Sequence, residues 1–154
     1  MKKYLKYALY TVLAVTLFAA WGCSDDDDDK DVPVEESQLP AKAQAFIKTY
    51  FGDDGIVRVN KETDNKDISY DVWLKSDTRV EFDAAGEWTD VEVPIGKSVP
   101  QGFYPQAIDN YLLENYPGVA VREISLEPTY YEVDLFNSAE LVFDLTGKFI
   151  VAER

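Results

Sequence analysis

Nucleophilic and metal chemistry in proteins rests mostly on histidine, cysteine and converging acids, and this 154-residue chain holds no histidine and one cysteine. Without histidine there is no Ser/His/Asp or Cys/His nucleophile and no His-ligated metal. The lone Cys23 cannot form an intramolecular disulfide. Acids are plentiful, and Asp83 and Asp144 recur in matching Phe-Asp-x-x-Gly segments. Two carboxylates can divide acid and base duties, but an Asp that caps a turn accounts for both without catalysis. Asp53-Asp54-Gly55 and Asp64-Asn65-Lys66-Asp67 read as turns. Neither has calcium-loop spacing, and Lys66 opposes a cation. The run Asp25 to Asp29 lacks the turn glycine such a loop needs. No catalytic, cofactor-binding or metal-binding residue is therefore expected.

Cys23 has a different chemistry in view. Lys2, Lys3 and Lys6 precede an apolar run from Ala8 to Trp21, too short to span a bilayer comfortably and typical of a signal peptide. Ala19-Ala20-Trp21-Gly22-Cys23 resembles a bacterial lipobox, with Ala20 where Leu is commoner and Trp21 large for its place. Residues 1–22 are read as a removable leader and Cys23 as a lipidated N-terminus, which also removes thiol chemistry. Ser24, Asp25, Asp26, Asp27, Asp28 and Asp29 follow. They resemble the acidic export signal of surface lipoproteins in Bacteroidetes, which implies an outer-membrane, surface-exposed location; a periplasm-facing one is the alternative. Residues 23–38 are expected to be an acidic, disordered tether.

The remainder carries 46% hydrophobic and 14% aromatic residues over the whole sequence, enough to pack a core. Fifteen basic residues against 29 acidic ones give a net charge of −14. Removing three leader lysines makes the exported chain more acidic still. Such a surface repels nucleic acid and anionic headgroups and suits basic partners or divalent cations.

One pattern occurs twice. Tyr70, Val72, Leu74, Val80, Phe82, Asp83, Gly86 and Trp88 are answered by Tyr131, Val133, Leu135, Leu141, Phe143, Asp144, Gly147 and Phe149, without a gap. Ahead of each lies an amphipathic helix. Ala43, Phe46, Ile47 and Tyr50 follow Pro40 and stop near Gly52; Ile108, Tyr111 and Leu112 follow Pro105 and stop at Pro117-Gly118. Strand-like runs fall near 56–62, 68–75, 79–83, 87–93, 119–126, 130–136, 139–144 and 148–153. The expected fold is α+β, in two tandem repeats (39–93 and 99–154), each a helix packed on a four-stranded antiparallel meander sheet. The hairpin at Gly86 should pair Asp83 with Glu87 and place Phe82 and Trp88 together in the core, with Phe149 likewise.

Strict alternation puts Trp73 opposite Val72 and Leu74, and the same parity assigns Val91, Phe136, Val142 and Ile150 to outer faces. These five residues are the candidate binding surface, with packing between sheets or protomers as the alternative.

Leu39-Pro40 with its helix, Tyr116-Pro117-Gly118 leading into a strand, and the Phe-Asp-x-x-Gly hairpins resemble the PepSY-like, beta-lactamase-inhibitor-like proteins of Bacteroidetes over residues 38–154. The resemblance implies two helix-on-sheet units and no activity, and no functional residue carries over. The expectation is a non-enzymatic envelope lipoprotein, held to the membrane by the lipid on Cys23. It would bind a protein or envelope polymer, inhibitor-like by analogy of fold alone. A carboxylate-only envelope hydrolase and a self-associating scaffold are the alternatives.

Overall fold

The computed structural model describes residues 31–52, 54–64 and 67–153. Cys23, the run Ser24 to Asp29 and the leader lie outside them. The described elements are β1 (Val32–Val34), a 3-10 turn (Glu36–Gln38), α1 (Ala41–Phe51), β2 (Ile56–Asp64), β3 (Asp67–Leu74), β4 (Arg79–Asp83), β5 (Trp88–Glu92), α2 (Gln106–Asn115), β6 (Val121–Leu126), β7 (Tyr130–Leu135), β8 (Glu140–Asp144) and β9 (Phe149–Glu153).

All nine strands lie in one antiparallel sheet in sequence order. The expectation of two separate helix-plus-four-strand repeats is thus overturned, and the fold is a single, mostly β sheet with two helices. What joins the two halves is β5 to β6. Val91 pairs with Ile124, and both are fully buried. An edge that apolar would be costly to leave open, and pairing it hides both the side chains and the backbone. The rings continue the join, since Phe103 meets Trp88 edge-on at 4.8 Å and Trp88 stacks on Tyr131 at 6.2 Å. A ninth strand also went unread. Val32–Val34 pairs with β2 through Val32↔Lys61 and Val34↔Val59, so part of the stretch expected to be a disordered tether belongs to the sheet.

Both helices lie against one face. Phe46 of α1 meets Phe82 edge-on at 5.6 Å, and Tyr111 of α2 stacks on Phe149 at 4.5 Å and meets Phe143 at 5.4 Å. Beneath them lie Val72, Val80, Phe82, Val133, Leu141 and Phe143, all without exposure.

The two hairpins fold as their residues require. Asp83 N–H donates to the Glu87 carbonyl, while its Oδ1 accepts from the amides of Ala85 and Glu87. Asp144 repeats this with Thr146 and Lys148. Phe82 then pairs with Trp88, and Phe143 with Phe149. One residue later the register shifts: Glu81 faces Asp90 and Val142 faces Val151, leaving Thr89 and Ile150 as extra bulge residues.

Candidate functional site

The bulges decide which side chains reach the helix-free face. A bulge reverses alternation beyond it, so Val91, expected outside, turns inward against Val80 and Ile124. Phe136 lies just past β7 and packs partly buried on the core. Trp73 does lie on the outer face, but half-buried, with the Arg58 guanidinium 3.7 Å from its ring centre, a cation–π contact. Val142 is on that face between Glu132 and Val151, and Ile150 is exposed at its bulge. The five do not converge. Trp73 on β3 and Val142 on β8 are five strands apart, about 24 Å at roughly 4.8 Å per strand.

What the register does assemble on that face is acid. One row runs Asn60, Asp71, Glu81, Asp90, Ser125, Glu132 across β2 to β7, each directly opposite the next. The row beside it runs Arg79, Glu92, Glu123, Asp134, Glu140, Glu153 across β4 to β9. Asp71–Glu81, Glu81–Asp90, Glu92–Glu123, Glu123–Asp134, Asp134–Glu140 and Glu140–Glu153 are all acid-on-acid cross-strand pairs. Directly opposed like charges destabilise a sheet.

Two arginines answer part of this charge. Arg79 lies 2.6 Å from Glu81, 3.7 Å from Asp90 and 3.8 Å from Glu92. Arg122 lies 3.0 Å from both Glu92 and Glu123 and contacts Asp134. Asp71, Asp90, Glu123 and Asp134 are nonetheless each more than nine-tenths buried. Burial first, then the charges of Glu81 and Glu62, push the Asp71 carboxyl up to about 7, against the pull of Arg79. Asp90 is pushed up in the same way by burial and by Glu123, although Ser125 donates a hydrogen bond to its Oδ2. Its Oδ1 accepts none. Glu62, at the start of the face, is raised by burial, Asp31 and Glu81.

No local motif marks these acids, because most sit singly between apolar neighbours, as in Tyr70-Asp71-Val72 and Val80-Glu81-Phe82. The signal was available as alternation, in which a charge on the solvent side of several strands implies a charged face.

Among the described residues nothing comparable forms elsewhere. Asp83 and Asp144 are spent on their turns and stand four strands apart, about 19 Å. A cavity of about 310 Å³ lies between α2 and the segment before it, lined by Val99, Tyr104, Leu112, Tyr116 and Val121. Its Tyr104 hydroxyl donates to Asp109 at 2.8 Å, and burial and Asp109 hold that proton on the phenol. Among the described residues no three His, Cys, Asp or Glu are arranged to hold a metal ion.

The helix-backed sheet thus carries, on its other face, rows of carboxylates that are mostly buried or half-buried and are partly neutralised by two arginines. Residues 21–68 and 68–151 match the model of the family described as "Putative beta-lactamase-inhibitor-like, PepSY-like", and the chain belongs to that family. Among solved structures it is similar to a "putative periplasmic protein" of the DUF2874 family from Bacteroides vulgatus, at 38% identity and TM-score 0.76, covering 82% of this chain and 98% of that one. It is likewise similar to a "putative calcium-regulated periplasmic protein" from Bacteroides thetaiotaomicron, at 37% identity and TM-score 0.76, covering 80% and 97%. A third, a "putative periplasmic protein of unknown function" from Bacteroides vulgatus, is 33% identical with TM-score 0.77, covering 81% and 100%. Comparison with curated proteins gave no match.

Proposed function

We propose that the protein is a non-enzymatic binding module of the bacterial envelope, anchored by lipid on Cys23, which holds a basic protein surface on its helix-free sheet face. The observation that carries this reading is the pair of carboxylate rows. The fold keeps like charges opposed and partly buried, at a cost of tenths to about 1 kcal/mol for each pair, and a cationic partner relieves that cost on binding. The periplasmic descriptions of the similar Bacteroides proteins support an envelope location. The family's inhibitor-like description supports a module that binds rather than catalyses.

Calorimetric titration of the soluble domain with a lysine homopeptide tests the face. Binding should weaken steeply with salt, and Glu81→Gln with Asp90→Asn should weaken it about tenfold, or about 1.4 kcal/mol. Affinity unchanged in the double variant overturns the assignment. A divalent cation is the second reading, favoured by the relative described as calcium-regulated. A saturable heat with calcium chloride that the same double variant abolishes would select it.

Anchoring has its own test. Cys23→Ala should lose fatty-acid labelling and move from the membrane to the soluble fraction. Whole cells treated with protease should lose the domain if the run Asp25 to Asp29 exports it to the surface. A Cys23→Ala chain that still labels and sediments with membranes would sink the tether.

A further inference from the structure

Among the described residues the outer edge of β9 carries no further strand, and β5 shows how an edge of the same sequence pattern is paired. β5 and β9 leave the same Asp-x-x-Gly turn and carry the same bulge one residue later. Asp90, Val91 and Glu92 therefore correspond to Val151, Ala152 and Glu153. On β5 those three residues pair with Ser125, Ile124 and Glu123 of β6, the Val93 amide donates to the Arg122 carbonyl, and the Arg122 guanidinium donates to Glu92 at 3.0 Å. On β9 the corresponding edge carries no strand among the described residues, because β9 ends the sheet.

The two ends of the sheet are finished differently. β1 is three residues long with Pro33 at its centre, which deprives that edge of a donor and discourages further pairing. Phe149 to Ala152 contains neither proline nor charge. Ile150 and Val151 are about half exposed, as is Leu145 in the adjoining turn. Unpaired backbone flanked by exposed apolar side chains is the usual template for strand addition.

We propose that β9 docks an extended segment of a cationic partner protein, as a tenth antiparallel strand. The rows fix its chemistry. Val142 and Val151 end one row, so the incoming residue opposite Val151 is apolar. Asp134, Glu140 and Glu153 end the other, so charge complementarity calls for Lys or Arg opposite Glu153; on β6 the position facing Glu92 is the acid Glu123, and its neighbour Arg122 supplies the positive charge. Outward-facing residues alternate with ones facing the helix side, which places the basic and apolar residues two positions apart. A second copy of β9 fits less well, for it would bring only the uncharged Phe149–Ala152 stretch and an acid to a row already ending in acid.

The charge requirement rests on the proposed function above, whereas the backbone requirement does not, and the experiment separates them. The probe is the capped hexapeptide Thr-Lys-Thr-Val-Thr-Thr, whose lysine and valine stand two positions apart, titrated against the soluble domain. Its controls are the same peptide N-methylated at every second residue and the glutamate–valine analogue. Strand addition predicts that N-methylation weakens binding at least about tenfold, since paired backbone donors are lost. Amide exchange should slow in β9 alone, and Ala152→Pro, at the position corresponding to Val91, should abolish binding while Glu81→Gln with Asp90→Asn reduces it only modestly. The N-methylated peptide is read on the wild-type chain, so the test stands even if Ala152→Pro fails to fold. Equal binding of the two lysine peptides overturns the strand while leaving the acidic face standing. Equal binding of the glutamate analogue overturns the charge requirement. Protection of β9 in the domain alone, with a concentration-dependent dimer by sedimentation, makes a second copy the occupant and overturns the proposal.

Discussion

Gly86→Val and Gly147→Val should each destabilise the domain by roughly 3 kcal/mol or more, whereas Gly96→Val should cost about half that or less. All three glycines have positive φ, at 79°, 84° and 92°, so a β-branched residue meets backbone strain on the order of 1–3 kcal/mol at each. The surroundings differ. A Cβ on Gly86 would stand 2.7 Å from Pro40 Cβ and 3.0 Å from the Ala43 amide nitrogen. On Gly147 it would stand 2.8 Å from Pro105 Cβ and 3.0 Å from Ala107 Cβ. Around Gly96 there is nothing within 4 Å. The two hairpin glycines let the sheet approach the first turn of its covering helix, and filling that gap adds an overpacking cost of typically 1–3 kcal/mol. Against a usual total of 5–15 kcal/mol, either change leaves a marginal domain. Urea unfolding of the three variants checks this, and a Gly96→Val loss equal to the others would show that contact with the helix contributes nothing.

These glycines also mark how far the sequence could be read. Phe-Asp-x-x-Gly announced the turn, its Asp cap and the pairing of Phe82 with Trp88, because all depend on neighbours within six residues. The strand limits followed for the same reason, from alternation and turn residues. The sheet's unity did not, because β5 joins β6 across the whole segment carrying α2, and nothing local to Val91 or Ile124 records that each faces the other. β1 escaped notice because Val32-Pro33-Val34 is short, follows an acidic run and contains proline. The parity of Val91 failed through a single bulge residue, Thr89, since an alternation count has no way to see an insertion that the partner strand defines. The acidic rows are a product of register. Each acid was visible alone, but their alignment appears only once the pairing is known.

The rows give the remaining large effect, which is on pH. The domain should be more stable near pH 5 than near pH 8, contrary to the common pattern of acid-labile proteins. Asp71 has an ordinary carboxyl value of 3.8 in the unfolded chain and about 7 in the fold; Asp90 is displaced in the same direction. Well below 3.8 both states carry the proton and pH has no influence through these groups. Between that value and about 7 the folded state holds a proton that the unfolded state has released, so the derivative of unfolding free energy with pH is negative. Stability is lost at up to about 1.4 kcal/mol per pH unit for each such group. Above about 7 Asp71 is charged in both states and its contribution is flat, at its least favourable level. Asp144 works the other way, since its hydrogen bonds from Thr146 and Lys148 lower its value, but it is exposed and its influence is confined to strongly acid solution. Asp71→Asn keeps the shape and removes the charge. It should raise stability at pH 8 by about 1–2 kcal/mol, since a carboxylate buried beside the acids Glu81 and Glu62 costs more than a buried amide. The same change should flatten the slope between pH 5 and 7. Urea midpoints for wild type and Asp71→Asn across that range settle the sign. A wild-type midpoint that climbs from pH 5 to 8 would mean that Arg79 and Arg122 already neutralise the face, leaving a cationic partner no like-charge repulsion to relieve.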